Sequence, residues 1–124
     1  MPTDSPSETA PLRDRLRAAL PIAMKARDRR AAGALRSALA AIDNAESVDA
    51  VDARAGAIEN SAVGLGAAEV ARRQLTEADI ERIVRTEIEE RHTAAGQYEQ
   101  SGHADRAADL RAEADALAVH LSVG

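Results

Sequence analysis

The chain has 124 residues, a formal charge of −5, no cysteine, tryptophan or phenylalanine, and one tyrosine. That length supports one domain around one core, and the missing cysteines exclude disulfides, thiolate nucleophiles and Cys-ligated zinc. The longest uncharged apolar run, Ala18 to Met24, is far too short to cross a bilayer, and MPTDSPSETAPLRD lacks the apolar centre of a signal peptide. A soluble, cytoplasmic protein is therefore expected.

Residues 1–8 are rich in Pro, Ser and Thr and read as a disordered lead-in. A first helix begins near Thr9, with Pro11 tolerated in its first turn and Leu12, Leu16, Ala19, Leu20 and Ala23 on one face. Pro21 removes the N–H that would bond to Arg17 and disfavours helical geometry at Leu20, which predicts a kink or break. Asp28 is placed to cap a second helix, Arg29 to about Glu46, with Ala31, Leu35, Ala38, Leu39 and Ile42 on its core face. Residues 47–75 mix small apolar residues, acids and the pair Gly64 and Gly66. They read as a flexible insertion carrying short helical turns around Val48–Ala57 and Ala67–Arg73.

The stretch TEADIERIVRTEIEERHTAAGQYEQSG, Thr76 to Gly102, is the best-marked helix and the one the others should pack against. Thr76 and Asp79 form a capping box, and Gly102 supplies a left-handed close. At roughly 1.5 Å per residue it makes a rod of about 38 Å. Ile80, Ile83, Val84, Ile88, Ala94, Ala95 and Tyr98 share its core face, and Glu87 and Arg91 fall inside that apolar arc, one turn apart. The pair reads either as a snorkelling ion pair at the edge of an interface, the simpler account, or as a buried polar network that fixes register or presents a charge to a ligand. A fourth helix, about Ala104 to His120, buries Ala107, Leu110, Ala114, Leu117 and Leu121. The Ser101–His103 connection folds it back on the long helix. The sum is an all-α protein: a single four-helix, bundle-like domain over 9–121, made of two helical hairpins with a long loop between helices two and three.

No catalytic constellation is visible. Glu89 and His92 form a lone Glu-x-x-His without the second motif and extra carboxylates that a di-metal bundle requires, so neither metal nor cofactor is expected. Gly64-x-Gly66 lacks the spacing and strand context of a phosphate loop, and His92, His103 and His120 read as surface histidines. Charge is more informative. Residues 1–46 carry eight Arg and Lys against six acids, whereas 47–124 carry eight against fifteen. Arg13, Arg17, Lys25, Arg27, Arg29, Arg30 and Arg36 are the candidate contacts to phosphates. With almost no aromatic surface, contact with RNA should be to its backbone and shape.

ALRSALAAIDNAE (residues 34–46) and RTEIEERHTAAGQYEQSGHADRAADLRAEADAL (residues 85–117) resemble the YqeY family, related to the C-terminal region of the GatB subunit of glutamine-dependent tRNA amidotransferases. The order of positions carries the resemblance. Met24-Lys25-Ala26 lies near the end of the first helix, Leu35-Arg36 opens the second, and Asn44 and Glu46 close it. Glu87, Arg91, Tyr98, Gly102 and Asp105 follow around the hairpin, and Glu113 and Leu117 lie in the last helix. The resemblance implies a short form lacking the family's C-terminal tail domain. It also implies a place in carbon–nitrogen ligase systems that use glutamine as amido donor. In the amidotransferase other domains perform the chemistry, so the implied role is accessory, beside tRNA or a tRNA-modifying or aminoacylating enzyme. The alternative from charge alone is a protein-interaction or self-associating helical module with no nucleic-acid role.

Overall fold

A computed structural model describes residues 10–60 and 75–121, with 49–60 as backbone alone. Four helices follow in order: α1 (Leu12–Lys25), α2 (Arg29–Asn60), α3 (Glu77–Gln100) and α4 (Ala104–Ala118). There is no strand among the described residues. The α3–α4 hairpin has the most extensive interface, α1 pairs with α2, and α2 also lies along α4. The all-α bundle of two hairpins is therefore the architecture.

The predicted faces form the core. Leu12, Leu16 and Ala23 from α1 meet Ala32, Ala34, Leu35, Ala38 and Ile42 from α2, Ile80 and Val84 from α3, and Leu117 from α4. A second, smaller cluster of Ala95, Ala107 and Leu110 lies where α3 and α4 approach their shared turn. Ala94 packs against it, so the backbones there approach across small side chains. Tyr98 departs from its predicted core position: it is 39% exposed and belongs to neither cluster.

Several boundaries differ from expectation. Pro11 stands at the N-cap of α1, one place before the helix, and accepts from the Arg15 N–H through its carbonyl. Thr9 and the lead-in 1–8 lie outside the described residues. Pro21 does not break α1, which continues to Lys25. Both Pro21 and Arg17, whose carbonyl loses its partner, are exposed, so water can satisfy the freed acceptor. The second helix does not stop near Glu46; it runs on to Asn60. No proline interrupts 29–60, and Ala50, Ala53, Ala55 and Ala57 are strong helix formers. Of the predicted insertion, 47–60 is thus helix, while 61–74, including the Gly pair and the whole of the turn placed at Ala67–Arg73, lies outside the described residues. At the other end α4 closes at Ala118, two residues short of His120.

Capping fixes how the helices enter the bundle. The Asp28 carboxylate accepts the Ala31 N–H at 3.1 Å, as predicted for the start of α2. The Thr76 hydroxyl accepts from the Asp79 N–H while Asp79 accepts from the Thr76 N–H, both at 3.1 Å, completing the box. Hydrogen bonding with Thr76, its backbone N–H first and then its side chain, holds the Asp79 carboxyl below the ordinary carboxylate range. A third cap has no local signal: Glu77 Oε2 accepts the first N–H of α1, from Leu12, at 2.7 Å. That bond ties the start of α1 to the start of α3.

Beside it, Arg15 donates to the His120 carbonyl at 2.9 Å. His120 is half-buried rather than on the surface; burial, then the nearby Arg15 charge, push its imidazole below the usual histidine range. The unfolded chain therefore binds a proton at His120 more readily than the folded one, and stability falls as pH drops through about 6.5. Urea midpoints measured between pH 7.5 and 5 should decline, and His120→Asn should flatten that decline.

Candidate nucleic-acid interface

The seven predicted phosphate contacts divide into two groups. Arg13 is withdrawn: its guanidinium lies 3.0 Å from Glu46 and 3.8 Å from Asp43, both on α2, and its side chain is 16% exposed. It clamps the α1–α2 hairpin. Arg30 donates to Asp109 on α4 at 2.6 Å, and Arg17 stands 3.9 Å from Asp14 on its own helix. Arg13 and Arg30 are engaged by acids that a neighbouring helix supplies, which charges spaced along one helix do not reveal, whereas Arg17 pairs within its own helix.

Lys25, Arg27, Arg29 and Arg36 remain. All four are exposed, and no carboxylate among the described residues lies within ion-pair distance of them. They converge on the corner where α1 turns into α2. An open groove of about 690 Å³ there is lined by Arg27, Arg29 and Arg36, with Met24, Ala23 and Ala32 supplying its apolar part and Asp28, whose carboxylate is engaged by the Ala31 N–H, on its edge.

The corner is built by a helix-closing turn with an unusual residue in it. The Asp28 N–H reaches the Ala23 carbonyl at 2.9 Å and the Arg27 N–H reaches Met24 at 3.1 Å, the paired bonds of a Schellman close. The same close ends α3, from His103 to Tyr98 and Gly102 to Glu99. There the left-handed position is Gly102, with φ +85°. At the first corner it is Arg27, with φ 59°, at a steric cost of about 1 kcal/mol that glycine would avoid. The strain keeps a guanidinium at the lip of the groove.

Glu87 and Arg91 are brought together, as part of something larger. Arg91 Nη1 donates to Glu87 Oε1 at 3.0 Å and Arg91 Nε to Glu113 Oε1 at 3.0 Å, while the Ser37 hydroxyl donates to Glu87 at 2.8 Å. The three charged side chains are 13–19% exposed. One guanidinium thus joins α3 to α4 and, through Glu87, to α2. Arg106 approaches Glu113 at 3.9 Å. Among the described residues the network lines none of the grooves at the α1–α2 corner, the α3–α4 turn or beside Ile88, and its three-helix span suits the fixing of register.

Among the described residues no three His, Asp or Glu side chains group as a metal site, and His92 stands exposed. No described helix is long and apolar enough to cross a membrane. The class these features define is an all-α bundle with one basic corner. No protein-family model matches the chain, and no curated protein or solved structure matches it.

Proposed function

We propose that this chain is a non-catalytic accessory module of the YqeY and GatB C-terminal kind that docks on tRNA through the α1–α2 corner. The observation that carries the reading is the grouping of Lys25, Arg27, Arg29 and Arg36 at one corner, none of them in an ion pair among the described residues although Asp28 also borders the groove, whereas the other described cations are largely paired. The family resemblance supports tRNA, or a tRNA-modifying or aminoacylating enzyme that holds it, as the partner. Carbon–nitrogen ligase chemistry with glutamine belongs to that setting rather than to residues of this chain.

The test is fluorescence anisotropy with labelled tRNA. Binding at micromolar protein in low salt is expected, with a slope of log K against log salt of about −3 for four phosphate contacts. Arg27→Gly should weaken binding while raising the urea midpoint, because it relieves the left-handed strain by roughly 1 kcal/mol. Absence of binding at micromolar protein in low salt would remove the reading.

One observation favours a second reading. Ile22 is 70% and Met24 49% exposed beside the cations, a mixture that suits an acidic amphipathic protein segment or a second copy of the chain. Light scattering that shows a stable dimer, together with no affinity for tRNA, would select it.

A further inference from the structure

The only aromatic side chain of the protein lies in an open groove at the α3–α4 turn, and neither core cluster uses it. Tyr98 is flanked by His103, whose ring meets it edge-on at 69° with centroids 6.1 Å apart. The Arg106 guanidinium stands over its ring, 5.8 Å from the centre. The groove measures about 570 Å³ and is bordered by Gly102 and Asp105. A Cβ at Gly102 would meet nothing within 4 Å, so that side of the groove is open. Asp105 is exposed and makes no hydrogen bond or ion pair among the described residues, leaving a carboxylate that can only accept. A tyrosine that served hairpin packing alone would be covered by its partner helix. This one combines a π-surface, a cation and a free acceptor around a cleft.

The groove and the basic corner are at the same end of the bundle. Arg30, the second residue of α2, holds Asp109, which lies one helical turn from Arg106 on α4. A nucleic-acid backbone held by Arg27 and Arg29 therefore passes the end of the molecule where Tyr98 is exposed.

We propose that the Tyr98 groove takes one unpaired nucleobase of the RNA whose phosphates occupy the corner, and that the base is guanine. The inference rests on the RNA reading above. Tyr98 offers a face for stacking, with Arg106 and His103 as its neighbours. Asp105 offers two carboxylate oxygens to the adjacent N1–H and N2–H of an unstacked guanine, donors that uracil and adenine do not present together. Sequence composition favoured recognition by backbone and shape because one tyrosine makes no platform for a run of bases. One tyrosine suffices for a single extruded base.

The experiment uses the full chain and two labelled RNA duplexes of equal length, one fully paired and one with a single bulged guanosine. Tyr98 is the sole tyrosine and there is no tryptophan, so intrinsic fluorescence, corrected for absorption by RNA, reports the groove directly. The bulged RNA should bind about tenfold tighter and quench tyrosine emission, whereas the paired RNA should bind without quenching. Tyr98→Leu should remove the preference, Tyr98→Phe should keep it, and Asp105→Asn should lose the advantage of guanosine over uridine in the bulge. Equal binding of both RNAs without quenching overturns the base site and leaves the corner reading intact. No binding of either RNA overturns both, and points to the acidic protein partner instead.

Discussion

Replacing Arg91 by alanine is expected to lower stability by about 2 to 3 kcal/mol, a fall of roughly 1 to 2 M in the urea midpoint for a domain of this size. The guanidinium lies between Glu87 and Glu113 and donates to both at 3.0 Å. Without it, two largely covered carboxylates face each other, and only Arg106, at 3.9 Å from Glu113, offers partial compensation. The contact itself is worth less than this. Most of the loss comes from acids left without a counter-charge. Two companion variants separate these effects. Arg91→Lys keeps the charge but cannot bridge both partners in the same geometry and should fall between. Glu87→Leu, Arg91→Met and Glu113→Leu together should recover most of the loss, since apolar residues of similar volume often replace such a group without penalty. A triple variant no more stable than Arg91→Ala would show that register depends on the charges themselves.

Leu35→Ala is expected to cost about 3 kcal/mol, at or near the limit that a small helical domain can lose and remain folded. Leu35 is 2% exposed and sits where α2 meets the other helices of the main cluster. The surrounding alanines have little freedom to collapse into the space it leaves. Loss of helical circular dichroism at 37 °C, or a urea midpoint reduced by about 2 M, is the measurement. Leu35→Met, which nearly conserves volume, should cost less than about 1.5 kcal/mol. If Leu35→Ala were tolerated without loss, the packing described for α2 would be wrong.

Most apolar core positions of the four helices are legible from periodicity, because a helix buries its face wherever it finds a partner, but Tyr98 lies past the point where its partner covers that face. The caps at Asp28 and Thr76 were legible because they act within one turn. Contacts that bind residues far apart in the chain were not legible. Nothing local tells that Glu77 caps α1 across 65 residues, that Asp43 and Glu46 draw Arg13 inward, or that Asp109 engages Arg30. The basic stretch looked continuous in one dimension, and the fold divided it. Pro21 is tolerated because it faces water, a placement that only the packing of α1 decides. Glu87 and Arg91 were visible as a pair, but Ser37 and Glu113, which turn the pair into a network, come from other helices.

The unequal filling of the interior has a mechanical consequence. Around Leu16, Leu35, Ile42 and Leu117 the helices are wedged apart by branched side chains that resist displacement. Toward Ala95 and Ala107 they rest on methyl groups, with Leu110 the only larger side chain. A partner bound at the Tyr98 turn therefore bears on a tip held by close backbone approach, while the leucine-filled half anchors the other end of the hairpin.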